Sequence, residues 1–152
     1  MNDLIADFLA QKCIAVVGVS RTGNDFSNEV YRKLRDAGYQ VYAVNPNVDE
    51  IDGETCYRRL SAIPETIDGV MITTAPAITE QIVHECADLG IRRVWMHRSF
   101  GQGSYSAEAE SFCKGQNISV IPAGCPMMFC DPVDFGHKCI RWFMKVTGGL
   151  PK

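Results

Sequence analysis

Several absences narrow what this chain can do. No apolar run approaches the roughly twenty residues of a bilayer-spanning helix, so no membrane crossing is expected. There is no excess of positive charge. Fifteen lysines and arginines against eighteen aspartates and glutamates leave a formal net charge of -3, which gives no general attraction to nucleic acid or an anionic membrane. Positive charge is also missing from the N-terminus, where Met1-Asn2-Asp3-Leu4-Ile5-Ala6-Asp7-Phe8 carries acids in place of the basic start of a signal peptide. Leu4, Ile5, Phe8 and Leu9 share one helical face, so this segment reads as a short docking helix. Internal repeats, low-complexity tracts and a second-domain linker are lacking, and 152 residues suffice to bury a core, so residues 1–152 read as one domain.

Chemically loaded clusters are equally scarce. The three histidines, His84, His97 and His137, form no Ser-His-Asp or Cys-His arrangement in sequence order, and no catalytic residue is assigned. His84 falls within a helix on the surface, and His97 follows a strand near the ligand edge. Seven cysteines are present: Cys13, Cys56, Cys86, Cys113, Cys125, Cys130 and Cys139. The odd number and the lack of a secretion signal point to free thiols in a reducing cytoplasm. Cys13 lies in a strand candidate, and Cys86 and Cys113 lie on apolar helical faces, as small core residues do. Cys125, Cys130, His137 and Cys139 give C-x4-C and H-x-C spacings, which fit no common structural zinc site, so no metal is expected.

What is present is alternation. Apolar strand candidates at Cys13–Val17, Gln40–Val44, Gly69–Thr73, Arg93–Met96 and Ile118–Ile121 are separated by amphipathic helical patterns. Val30, Leu34 and Ala37 form one stripe; Ile78, Ile82, Cys86 and Leu89 a second; Ala109, Phe112 and Cys113 a third. Gly38, Gly90 and Gly115 stand where these helices should stop. The pattern predicts an α/β fold, a Rossmann-like doubly wound domain with a mainly parallel five-stranded sheet. Asp49–Asp68 is less regular and reads as a crossover lying on the sheet through Ile51, Tyr57, Leu60, Ile63 and Ile67. After a loop over Pro122–Asp134, a C-terminal helix is expected with Ile140, Phe143 and Met144 on one side.

The junction Cys13-Ile14-Ala15-Val16-Val17-Gly18-Val19-Ser20 is the most informative segment. A buried strand stops at a glycine, and a helix follows from about Ser27, its expected N-cap. Such a turn brings backbone close to a ligand and offers a helix N-terminus to an anion. In an open doubly wound sheet the ligand lies where strand order reverses, here between the first and third strand candidates. The lining is then Gly18–Gly23, Thr73-Thr74-Ala75-Pro76 and Asn45-Pro46-Asn47. The first loop reads G-x-S-x-x-G, close to the dinucleotide fingerprint. An NAD site, however, places Asp or Glu at the end of the second strand. This chain has Asn45-Pro46 there and no carboxylate until Asp49, which counts against a standard NAD dehydrogenase.

These residues resemble the small stand-alone CoA-binding proteins, which share the CoA-binding Rossmann domain of the succinyl-CoA synthetase alpha subunit. The resemblance runs from about Lys12 to Phe129. It is carried by Ile14–Ser20, Gly38–Pro46, Glu50-Ile51-Asp52-Gly53, Ile63-Pro64, Val94-Trp95-Met96 and Gly124-Cys125-Pro126-Met127-Met128-Phe129. The tail Asp134-Phe135-Gly136-His137 resembles that of a subgroup. The resemblance implies that a CoA pyrophosphate rests on Gly18, Val19 and Ser20 and near Ser27. It implies the adenosine end by Asn45 and Pro46, with Thr74 and Pro76 on the other side. Asp25 and Asn47 stand where many relatives carry basic residues, which removes two charge-assisted phosphate contacts, and Arg21 is the candidate substitute.

The expected function is therefore binding of coenzyme A or acyl-CoA by a module without catalysis of its own, serving a second copy of itself or a partner enzyme. No nucleic-acid or membrane partner is expected. The alternatives are an NAD(P)-dependent oxidoreductase using the same crevice, and an interaction protein whose nucleotide site has decayed. Cys125, just past the fifth strand candidate, is the candidate for contact with the CoA thiol, a role that needs an exposed, ionisable sulfur.

Overall fold

The computed structural model describes residues 2–98 and 101–132, together with residues 138, 139 and 146. Its elements run α1 (Asn2–Leu9), β1 (Cys13–Val17), α2 (Phe26–Asp36), β2 (Gln40–Val44), β3 (Glu50–Ile51), β4 (Glu54–Tyr57), β5 (Gly69–Ile72), α3 (Pro76–Asp88), β6 (Arg93–Met96), α4 (Ala107–Gly115) and β7 (Ser119–Ile121). The expected C-terminal helix with Ile140, Phe143 and Met144, the tail Asp134–Gly136 and His137 lie outside the described residues. Among the described residues no helix is long and apolar enough to cross a membrane.

The sheet order is β3-β4-β2-β1-β5-β6-β7. Every pairing is parallel except β3 with β4. The order reverses between β1 and β5, the two strands expected to flank the ligand. Among the described residues the sheet has seven strands, however, and not five. The extra pair comes from the segment expected to be a crossover. Asp52 and Gly53, with φ of 52° and 80°, close a two-residue hairpin in which Glu50 faces Thr55 and Ile51 faces Glu54. β4 then joins β2, Ala43 opposite Cys56 and Val44 opposite Tyr57. The remainder of the segment does lie on the sheet, with Leu60, Ile63 and Ile67 buried.

Strand alternation divides the core between the two faces of the sheet. Ala15, Val17, Val70, Ile72, Val94 and Met96 face α3 and α4, meeting Val83, Cys86, Ala109 and Cys113. Ile14, Val16, Met71, Trp95 and Ile121 face α1 and α2, meeting Ile5, Phe8, Val30, Tyr31 and Leu34. Phe8 stands edge-on to Trp95, with centroids 5.4 Å apart. A Cβ at Gly69 would lie 2.8 Å from the Phe8 ring, so this glycine makes room for α1.

Two helical expectations need correction. The buried stripe of α3 is Thr79, Val83 and Cys86; of the expected stripe Cys86 is buried and Ile82 half-buried against the core, but Ile78 and Leu89 are exposed. Thr79 can be buried because its hydroxyl bonds the Ala75 carbonyl at 3.3 Å and pairs with Thr74 Oγ1 at 3.2 Å. Gly115 is the last residue of α4, and the left-handed turn after it belongs to Asn117, φ 56°.

Candidate functional site

Two cavities open at the carboxyl end of the sheet and meet at Gly18 and Asn45. The first, about 430 Å³, is lined by Gly18, Val19, Ser20, Arg21, Asp25, Phe26, Ser27, Asn45, Thr73 and His97. The second, about 410 Å³, lies between the ends of β2 and β4 and the flank of α3. Its walls include Val17, Val44, Pro46, Asn47, Arg58, Arg59, Thr74, Ile78, Gln81, Ile82 and Glu85. Ile78, out of place in a core stripe, is a wall of this lobe.

Gly18 is the hinge of the crevice. Its φ is +102°, and its N–H donates to the Val44 carbonyl at 2.9 Å. A Cβ here would sit 2.8 Å from Thr73 Oγ1 and 2.9 Å from Thr74 Cγ2. Thr73 is not free to yield, because its N–H and its hydroxyl both donate to the Val17 carbonyl at 2.9 Å.

The following loop is held from α2. The Ser20 N–H is shared by Ser27 Oγ at 3.1 Å and Asn28 Oδ1 at 3.2 Å. Asn28 Nδ2 donates back to the Ser20 carbonyl at 3.0 Å. Asn28, fully buried, thus grips residue 20 at both backbone polar groups. Arg32 donates to the Gly23 carbonyl at 2.8 Å while forking onto Asp52 at 2.7 and 2.8 Å. Ser27 is not the N-cap. That position is Asp25, whose side chain makes no capping bond, and Ser27 lies inside α2 facing the loop. The start of α2 still borders the first lobe, which brings the positive end of a helix dipole there. Arg21 and Asp25 are exposed at the same lobe.

Asn45 joins the two loops. Its Nδ2 donates to the Val19 carbonyl at 2.6 Å, and its Oδ1 accepts from the Asn47 N–H at 2.8 Å. Both ends of the amide are used inside the protein. Pro76 opens α3 as its first residue and lines neither lobe.

His97 ends the row at β6. Its ring stacks on Phe26 with centroids 4.2 Å apart, and its Nε2 is buried with no hydrogen-bond partner among the described residues. Burial pushes its pKa down to about 4, so the imidazole is neutral near pH 7. Between pH 6.5 and about 4 the unfolded chain binds a proton that the folded chain refuses, so stability falls as pH falls through that window. In urea titrations at pH 7 and 4.5 the wild type is expected to lose about 2 kcal/mol more than His97→Gln. Equal losses would show that His97 titrates normally in the folded state.

Cys125 does not meet the requirement for a thiol contact. It is 1% exposed, packs with Met128 beneath Phe26 and Phe129, and lines neither lobe. The turn over Pro126–Met128 and the bridge between Arg98 and Gly124 fold the chain over it. Asn28, Arg58 and Arg59 escaped the sequence reading. Asn28 looks like one more helical polar residue, and the two arginines lie in the segment read as a crossover.

Comparison with known proteins gives one consistent result. A model of the CoA binding domain matches residues 12–131. An ADP-forming acetate–CoA ligase of Methanocaldococcus jannaschii is 27% identical over 118 residues, which cover 75% of this chain and 17% of the ligase. The chain thus spans less than a fifth of that relative's length. YneT of Bacillus subtilis, an uncharacterized protein, is 30% identical over 114 residues, 75% of this chain and 82% of YneT. Among solved structures, a hypothetical protein from Pyrococcus horikoshii superposes with a TM-score of 0.73 at 29% identity, covering 82% of this chain and 84% of that one.

Proposed function

The chain belongs to the CoA binding domain family, and from that premise we propose that it binds coenzyme A, or an acyl-CoA, across the switch-point crevice without transforming it. The observation that carries the reading is the pair of lobes, about 430 and 410 Å³, meeting at Gly18. A ligand with a flat aromatic base, a pyrophosphate and a long arm fills such a shape. In the proposed pose the pyrophosphate rests on Gly18, Val19 and Ser20 by the start of α2 and near Ser27. Arg21 supplies the positive charge that Asp25 does not. The adenosine lies in the second lobe against Ile78 and Ile82, beside Asn45, Pro46 and Thr74. Pro76 contributes by starting α3 and not by contact.

Asn45 weighs against NAD as the ligand. An NAD site needs an acceptor pair free for ribose hydroxyls at this strand end, and here both amide atoms are committed to backbone groups. The ligase relative's named activity belongs to a protein of which this chain spans 17%, and the role proposed here is CoA binding in the service of a partner enzyme. Calorimetric titration with CoA, NAD and NADP tests the reading. CoA is expected to bind tightest, and native mass spectrometry of freshly purified protein should show CoA retained. Tighter binding of either nicotinamide nucleotide would overturn the proposal, and no binding of any of the three would favour a decayed site.

A further inference from the structure

The second lobe holds a charge feature that the proposed pose does not use. Arg58 and Arg59, consecutive at the end of β4, both line it, opposite the apolar flank made by Ile78 and Ile82. Asn47, at the neighbouring end of β2, is neutral. Arg59 is exposed, and its guanidinium has no hydrogen bond or ion pair among the described residues. Arg58 donates to the Pro46 carbonyl at 3.3 Å and pairs with Asp49 at 2.9 Å. That pair is exposed on both sides, 68% and 82%, so exchanging its partner costs little. The acid of the lobe, Glu85, has one carboxylate oxygen engaged, Oε1 accepting from the Ser61 N–H at 3.0 Å. Two guanidinium forks at the polar edge of an apolar slot suit a planar base whose sugar carries a dianionic phosphate.

We propose that Arg58 and Arg59 bind the 3′-phosphomonoester on the adenosine ribose of CoA and make the protein select CoA over 3′-dephospho-CoA. The inference rests on the CoA reading and assigns charge recognition to β4, where the end of β2 has none. It also separates the basic residues by role. Arg21, in the first lobe, faces the pyrophosphate common to both ligands, and the β4 pair faces the group that distinguishes them.

The test is calorimetry of CoA and 3′-dephospho-CoA on wild type, Arg58→Ala, Arg59→Ala, the double variant and Arg59→Lys. Both side chains are exposed, so folding should be unaffected, and circular dichroism melts verify it. Wild type is expected to prefer CoA about tenfold or more, since a charged hydrogen bond contributes on that scale. The double variant should lose that preference by weakening CoA alone, with dephospho-CoA changed less than about twofold and Arg59→Lys intermediate. Equal affinity of wild type for the two ligands, or equal weakening of both in the variants, would overturn the inference and leave CoA binding intact. Failure of wild type to bind either ligand would overturn the CoA reading, and this inference with it.

Discussion

Gly18→Ala is expected to abolish measurable CoA binding and to destabilise the fold by about 2–3 kcal/mol. Two costs combine. Backbone at φ +102° is strained for any residue with a Cβ. The added carbon also falls 2.8 Å from Thr73 Oγ1 and 2.9 Å from Thr74 Cγ2, and the Thr73 carbonyl carbon is 3.1 Å away. Thr73 cannot rotate away without giving up its bond to the Val17 carbonyl. Relief must come from β1 and β5 moving apart at the point where the lobes meet. Urea denaturation reads the stability and calorimetry the affinity, both on protein shown to be folded. Undiminished CoA affinity in a folded Gly18→Ala protein would place the site elsewhere.

Asn28→Ala should be nearly as damaging, through the loop and not the ligand. The buried amide accepts from the Ser20 N–H and donates to the Ser20 carbonyl, so its loss removes both bonds. Ser27 Oγ remains as an acceptor for the N–H, but the carbonyl loses its side-chain donor. The expected cost is about 2–3 kcal/mol, and CoA affinity should drop about tenfold as the loop loses its fixed shape. Hydrogen exchange should show the amides of residues 19–23 opening faster with the rest of the sheet protected. Unchanged exchange in that loop would mean that Ser27 alone holds it.

How much of this was legible in the sequence depended on whether apolar side chains carried the signal. β1, β2 and β6 were read with their observed ends, because buried parallel strands are nearly continuous apolar runs. The crevice between β1 and β5 followed from the strand-to-helix junction at Gly18. The β3–β4 hairpin was missed because its strands are only two and four residues long and mostly polar. Its one marker, Asp52-Gly53 at the turn, is a hairpin signal only when strands are suspected around it. In α3, Cys86 and the half-buried Ile82 fall where expected, whereas Thr79 joins the buried stripe because its hydroxyl finds partners that only the folded chain supplies. Ile78, meanwhile, serves the crevice and not the core. Ser27 was misassigned for a similar reason. Serine before a helical pattern usually caps it, but here Asp25 takes that place and Ser27 turns to the loop. The role of Asn28 depends on a contact across eight residues, which no local periodicity encodes.

The doubly committed amide of Asn45 has an evolutionary consequence. A lineage moving from this fold toward NAD use would need an acid at that strand end. An aspartate cannot donate to the Val19 carbonyl, so the substitution that gains the new ligand also unties the first loop from the second. The two properties cannot be exchanged one at a time. A new donor for Val19 would have to arise before, or together with, the acid. That order of events is a barrier between the two ligand classes, built into one side chain, and it would tend to keep descendants of this chain on one side of it.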